Sequence, residues 1–129
     1  MSEKLIPKPT DAELEILQVL WDNGPAPVRL VNDELNKKRE VGYTTTLKLM
    51  QIMHDKGLVT RNTDARSHIY EPAIPKGQTQ QNLLNTFVDN VFSGSAMNLV
   101  MQALGNHKAS KDELDQIKAL IAKIEKSED

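Results

Sequence analysis

The hydrophobic pattern of this chain changes period and then changes back. Before Gly57, apolar residues recur at the three-to-four-residue spacing of helices, in three segments separated by breaker residues. Residues 58–62 and 67–71 are instead strand-like and are joined by the polar turn 63–66. After Pro75 the helical spacing returns. The order helix, helix, helix, hairpin therefore constrains the first half of the chain more than any other feature.

Capping and stop signals predict where the helices begin and end. Thr10 follows Pro9 as an N-cap, and Glu13 completes a capping box three residues later. Gly24 is available for a left-handed C-cap of this first helix. The second and third helices are predicted at about 27–38 and 44–56. The later helices are predicted at 78–92, at 95–104 and from Ser110 onward.

Three helices followed by a two-stranded hairpin are typical of a winged helix. In that fold the third helix enters the major groove of DNA, and the hairpin lies along the neighbouring backbone or minor groove. The fold class predicted is mainly α with a small β-hairpin. We expect a winged-helix DNA-binding domain in residues 1–75 and a three-helix dimerisation domain in 76–129.

The third predicted helix has the polar face that base reading requires, and the hairpin has cationic groups for phosphates. The candidate DNA-binding residues are Thr44, Thr45, Lys48, Gln51, Arg61, Arg66 and His68. The net charge of −2 hides a positive stretch, because residues 41–70 carry four Lys or Arg against two Asp. Helix capping by Thr44 or Thr45, and ordinary solvation of Lys48 and Gln51, are the alternative interpretations.

The helical tail is too apolar to be stable alone as short helices. Its apolar residues therefore need a partner surface, either a second copy of the chain or the winged helix of the same chain. The candidate dimerisation residues are Phe87, Val91, Phe92, Val100, Leu104, Ile117, Leu120 and Ile124.

Composition and motifs argue against an enzyme. The chain has no cysteine, its three histidines lack ligand spacing, and its glycines form no phosphate-binding loop. We expect no catalytic residues, no metal and no cofactor. The absence of cysteine and of a long apolar run favours a cytoplasmic protein without membrane insertion. A winged-helix module that binds another protein is the alternative function, and Asp55 and Asp64 near the positive face keep it open.

Several segments resemble the penicillinase-repressor family, which includes beta-lactamase, methicillin-resistance and copper-transport repressors. They are TDAELEIL (10–17), LWDNGP (20–25), YTT (43–45) with Leu49 and Met50, DKGLV (55–59) and YEP (70–72). The resemblance implies a homodimeric bacterial repressor of double-stranded operator DNA. Each winged helix would read one half of an inverted repeat with TACA and TGTA half-sites.

The chain departs from the family pattern in two places. The copper-responsive members have a cysteine-rich metal site, so copper control is not expected for a chain without cysteine. The beta-lactam-responsive members are cleaved at an Asn-Phe bond in the dimerisation region, where this chain has Gln102 and Ala103. Proteolytic release, and a membrane metalloprotease sensor as its agent, therefore stay open, as do the regulated gene and the inducing signal.

Overall fold

The structure of the protein is a computed structural model that describes residues 8–64, 66–106 and 108–127. These residues form six helices and one antiparallel hairpin, which confirms the predicted fold class. The helices are α1 (Asp11–Asn23), α2 (Val28–Asn36), α3 (Tyr43–Lys56), α4 (Lys76–Val91), α5 (Ala96–Asn106) and α6 (Lys111–Ser127). The strands are β1 (Val59–Asn62) and β2 (Ile69–Pro72).

The chain divides into two compact units, Met1–Leu83 and Leu84–Asp129. The first unit contains α1, α2, α3, the hairpin and the start of α4, so the division falls inside α4. The sequence predicted a change of role at Pro75, and separate functions for residues 1–75 and 76–129 stay a prediction.

Helix α1 begins where the capping box predicts. The Thr10 hydroxyl accepts a hydrogen bond from the Glu13 backbone N–H at 3.2 Å, and the Glu13 carboxylate accepts one from the Thr10 backbone N–H at 2.9 Å. Gly24 follows the helix with φ +84°, a conformation that glycine adopts without a Cβ clash. The positive φ agrees with the predicted left-handed cap. The ψ of −175° lies outside the left-handed helical region, so Gly24 does not adopt the predicted left-handed conformation.

Apolar side chains from α1, α2, α3 and the hairpin form the core of the first unit. They are Ile16, Leu17, Leu20, Ala26, Val28, Val31, Leu35, Met50, Met53, Leu58, Val59, Tyr70 and Ile74. Burying each of the larger side chains is worth about 1.5–3 kcal/mol, before the entropy of ordering the chain is subtracted. The Trp21 indole N–H donates to the Ile74 carbonyl at 3.1 Å, which holds the segment after β2 against α1.

The hairpin is attached to the link between α1 and α2. Its two strands are antiparallel, with Val59 opposite Pro72 and Arg61 opposite Tyr70. Ala26 extends this pairing, because its N–H and its carbonyl bond the Tyr70 carbonyl and N–H, both at 2.9 Å. Tyr70, one strand pair away from the hairpin loop, therefore both fills the core and attaches the hairpin to the link between α1 and α2.

A buried carboxylate joins the beginning of α1 to the end of α3. Glu13 is 1% exposed, and its Oε2 accepts a hydrogen bond from Lys56 Nζ at 2.8 Å. Burial of this carboxyl raises its pKa. The hydrogen bonds from Lys56 and Thr10 and the charge of Lys56 outweigh that effect, so the pKa of Glu13 lies below its ordinary value of 4.5. Glu13 is therefore ionised at neutral pH and needs its cationic partner.

The second unit leaves its apolar side chains accessible. No described residue between Leu84 and Ser127 is buried, and Val91 is 58% exposed. The exposed large apolar residues are Leu84, Phe87, Val91, Met97, Val100, Met101, Leu104, Leu114, Leu120, Ile121 and Ile124. None of the described helices has the length and apolar character needed to cross a membrane.

We predict that Lys56→Met lowers the free energy of unfolding by about 1–3 kcal/mol, because a buried carboxylate loses its ionic partner. Lys37→Met is the matched control. The Lys37 side chain is 70% exposed beside Glu34, and such surface pairs contribute about 0–1 kcal/mol. Urea unfolding followed by circular dichroism measures both losses. Equal and small losses in the two variants would show that the Glu13–Lys56 contact does not hold α3.

Candidate nucleic-acid interface

The outer face of α3 carries the polar residues proposed to read bases. The N-cap of the helix is Gly42 and α3 begins at Tyr43, so Thr44 and Thr45 lie within its first turn. The alternative that either threonine caps the helix is therefore wrong. Thr44, Lys48 and Gln51 share one face by helical periodicity, and all three are exposed or half-exposed.

The inner side of α3 is held against α2 by an asparagine. Asn32 Nδ2 donates to the Val41 carbonyl at 3.0 Å and to Thr46 Oγ1 at 2.9 Å. Thr46 is fully buried, and Met50 and Met53 continue its face into the core. The direction of α3 is thus set by contacts on the side opposite its exposed polar residues.

Asn36 holds the turn that leads into α3. Its Nδ2 donates to the Val41 carbonyl at 2.9 Å, and its Oδ1 accepts from the Val41 N–H at 3.1 Å. Both backbone groups of Val41 are therefore satisfied by the same side chain. This fixes the short connection between α2 and α3 that a helix-turn-helix requires.

The hairpin places its cationic residues in different environments. Arg61 lies in β1 and is half-buried, and its Nε has no hydrogen-bond partner among the described residues. Arg66 and His68 lie in the loop between the strands and are exposed. The loop begins with a local turn, in which the Asp64 backbone N–H donates to Asn62 Oδ1 at 2.9 Å.

A cleft of about 600 Å³ lies between α3 and the hairpin loop. It brings together Gln51 from α3 with Arg66 and His68 from the loop, three of the seven residues proposed from the sequence. The remaining four, Thr44, Thr45, Lys48 and Arg61, do not line it.

Two further residues of the cleft, Arg29 and Tyr43, were not predicted from the sequence. The Arg29 guanidinium carbon lies 6.0 Å from the centre of the Tyr43 ring, within the range of a cation–π contact. Arg29 is in the first turn of α2, and Tyr43 is the first residue of α3. Their positions at the starts of the two helices of a helix-turn-helix were the signal that could have identified them.

Ion pairing differs among the cations of the first unit. The lysines and arginines that form ion pairs there are Lys37, Arg39, Lys56 and Lys76. Arg29, Lys48, Arg61 and Arg66 form none within the described parts of the chain. Lys8 and Lys38, away from this surface, form no ion pair among the described residues either. The cations of the candidate interface are therefore not held by ion pairs within the described chain, and exposed acids lie on the same elements, Asp55 on α3 and Asp64 in the hairpin loop.

One acid lies on the same helical face as these candidates. Asp55 follows Gln51 by four residues, its side chain is 84% exposed, and its nearest ionic contact is His54 Nδ1 at 3.8 Å. It therefore limits the positive surface at the C-terminal end of α3. In residues 8–64, 66–106 and 108–127 no group of three His, Asp or Glu side chains has the arrangement of a metal site.

Known proteins with similar sequences are named as repressors or transcriptional regulators. A family model described as penicillinase repressor matches residues 9–123 of this chain. A penicillinase repressor of Bacillus licheniformis is 25% identical over 114 residues, which cover 88% of this chain and 89% of that protein. A transcriptional regulator BlaI of Mycobacterium tuberculosis is 26% identical over 117 residues, which cover 89% and 83%.

Two solved structures resemble part of the chain. The solution structure of the DNA binding domain of the repressor BlaI has a TM-score of 0.51 and 28% identity, and the match covers 57% of this chain and 90% of that one. The solution structure of Bacillus licheniformis BlaI, in its monomeric form in complex with the blaP half-operator, has a TM-score of 0.50 and 27% identity. That match covers 57% of this chain and 89% of the other. The predicted winged helix is thereby confirmed.

We predict that Asn32→Ala lowers the free energy of unfolding by about 1–2 kcal/mol, because two partly buried hydrogen bonds between α2 and the start of α3 are removed. Asn23→Ala is the control, since its amide makes only an exposed bond to the Val19 carbonyl. That change should stay within about 0.5 kcal/mol. Thermal and urea unfolding of both variants test this. If Asn32→Ala leaves the free energy of unfolding unchanged, the asparagine does not position α3.

Proposed function

Because this chain belongs to the penicillinase repressor family, we propose that it represses transcription by binding operator DNA as a homodimer. The observation that carries the proposal is the exposed polar face of α3, next to a hairpin whose cations have no ion-pair partner in the described residues. Operator binding also implies a cytoplasmic location.

In this proposal α3 enters the major groove. The hydroxyl and methyl groups of Thr44 and Thr45 contact phosphates, base edges and thymine methyls, and Lys48 and Gln51 read the adjoining base pairs. The hairpin, with Arg61, Arg66 and His68, lies along the neighbouring backbone or minor groove. The complex of a BlaI monomer with a half-operator supports the idea that one winged helix suffices for one half-site.

The second unit supplies the dimer. The proposed dimerisation residues lie on α4, α5 and α6, apart from Phe92, which follows α4 directly. Six of them are exposed in the single chain, and Phe92 and Ile117 are half-buried. Burial of such an apolar surface is the main favourable contribution to association. A two-fold dimer of winged helices matches an inverted repeat, for which TACA and TGTA half-sites are expected from the family.

Release from DNA then follows from any event that weakens the dimer, because a single subunit reads only half of the operator. Gln102 and Ala103, at the position of the family's cleaved bond, are both exposed on α5. If this repressor is released by proteolysis, this bond is the candidate site and a membrane metalloprotease sensor the candidate protease. A cut there would divide α5 within the dimer-forming unit.

We predict tight, salt-sensitive binding to a duplex with a TACA/TGTA inverted repeat and much weaker binding to a scrambled duplex. Lys48→Ala should weaken binding to the repeat by about 1–3 kcal/mol, or roughly 5- to 150-fold, because a base-reading group is removed. Lys38→Ala removes an equal charge from an exposed lysine beside Glu15 and Glu34 and should leave affinity nearly unchanged. Gel-shift titrations measure these affinities.

If the wild-type dimer shows no preference between the duplexes at low salt, operator binding is wrong. A winged-helix module that binds a protein partner would then be the function to pursue, with Asp55 as part of its surface.

For the dimer, we predict that Ile124→Asp shifts the protein toward monomer in sedimentation velocity, because a charge enters an apolar surface that must lose its water. Lys123→Asp introduces the same side chain one residue earlier, at a position outside the apolar set, and should remain dimeric. Circular dichroism checks that both variants keep their helices. A dimeric Ile124→Asp variant would exclude this face of α6 from the interface.

A further inference from the structure

The cleft between α3 and the hairpin loop is not explained by base reading. We propose that it seats a phosphate of the DNA backbone, held by Arg29 of α2 and Arg66 of the loop, with Tyr43 positioning Arg29. This inference rests on the proposed operator binding and adds two residues, Arg29 and Tyr43, that sequence analysis did not select.

The composition of the cleft matches an anion. Arg29, Arg66 and His68 line it, and none of the described lining residues is acidic. Tyr70 and Val28 also belong to the lining but are 1% and 6% exposed, whereas Arg29, Arg66 and His68 are exposed and accessible to a ligand. Arg29 and Arg66, which have no ion-pair partner in the described chain, therefore line the same cleft without a carboxylate among its described lining residues.

The Arg29–Tyr43 contact makes the guanidinium suitable for a phosphate. A planar guanidinium offers two parallel N–H donors to two phosphate oxygens, which a lysine ammonium cannot do. Tyr43 is 46% exposed, and the centre of its ring lies 6.0 Å from the Arg29 guanidinium carbon. Contact with the ring face restricts the rotamers of Arg29, so less entropy is given up when the phosphate binds.

The position of the cleft favours the DNA backbone over a free anion. In a winged helix the recognition helix occupies the major groove and the wing reaches the adjoining backbone or minor groove. The backbone strand that separates two adjacent grooves must pass between these elements, and the cleft lies there. Gln51 on the α3 side and His68 on the loop side provide further donors along the same path.

A phosphate-binding residue has a different signature from a base-reading residue. Arg29→Gln should weaken binding to operator and scrambled duplexes by the same factor, roughly tenfold per half-site, because a phosphate is common to both. The slope of log affinity against log salt should fall in magnitude by about 0.9 for each phosphate that the variant no longer neutralises. Lys48→Ala should instead weaken binding to the operator far more than binding to the scrambled duplex.

The test uses duplexes in which single phosphates are replaced by neutral methylphosphonates, one position at a time in each half-site. The wild-type protein should lose affinity at one position beside the major groove. Arg29→Gln should lose less than the wild type at that position, because only the Arg66 contact remains to be removed there. Tyr43→Phe should behave as wild type because it keeps the ring, whereas Tyr43→Ala should weaken binding to both duplexes. Lys38→Gln, which removes an equal charge from an exposed lysine in the turn after α2 and outside the cleft, is the matched control.

Each other outcome contradicts the proposal. If the wild type prefers the operator but Arg29→Gln is unchanged on every duplex, operator binding stands and the phosphate seat is wrong. If Arg29→Gln loses affinity for the operator alone, Arg29 reads a base instead. If inorganic phosphate at constant ionic strength shifts the NMR signals of Arg29 and Tyr43 while no methylphosphonate position responds, the cleft binds a free anion. If the wild type shows no preference for the operator, the proposed function fails together with the inference.

Discussion

The buried carboxylate of Glu13 connects the beginning of α1 to the end of α3. It accepts the backbone N–H of Thr10 at the start of α1 and the ammonium of Lys56 in the last turn of α3. An unpaired carboxylate in this position would cost several kcal/mol, so the end of α3 cannot move away from α1 without that penalty. At the other end, Asn32 holds Val41 and the buried side of α3. Buried contacts therefore hold α3 at both of its ends. Its outer face can carry polar groups that contribute nothing to the core.

The distribution of charge follows from this arrangement. Lys56 and Arg39 are paired with acids of α1, and Lys76 lies 3.9 Å from Asp22, so these cations stabilise contacts within the first unit. Arg29 and Arg66 have no such partner in the described chain and line one cleft. A chain of net charge −2 can therefore present a locally positive surface. The attraction of a polyanion such as DNA depends on the local electrostatic potential at the contact surface, not on the net charge of the whole chain. The acid Asp55 marks where that surface ends.

Local signals were enough to predict the fold, and long-range contacts account for what was missed. The capping box of Thr10 and Glu13 and the order of helices and hairpin depend on residues close in sequence, and the structure confirms them. The second partner of Glu13 is 43 residues away, and no local pattern indicates it. Likewise, the sequence predicts a third helix from Thr44, because the threonines resemble a cap, whereas α3 begins at Tyr43. The contact of Tyr43 with Arg29 forms only when α2 and α3 pack together. The roles assigned to Thr44, Thr45, Lys48 and Gln51 stay predictions that only DNA can test.

In the proposed function, the second unit makes association part of the repressor's mechanism. Helices α5 and α6 bury no residue in the single chain, yet their apolar side chains repeat at helical spacing. Such helices gain most of their stability from packing, so a partner surface orders them as well as joining two subunits. Once two winged helices are joined, binding of the second half-site becomes intramolecular and its effective concentration rises to the millimolar range or above. Operator affinity would then depend steeply on the proposed dimer. A signal that acts only on α5 or α6 would release DNA without touching the residues of α3 that are proposed to bind it.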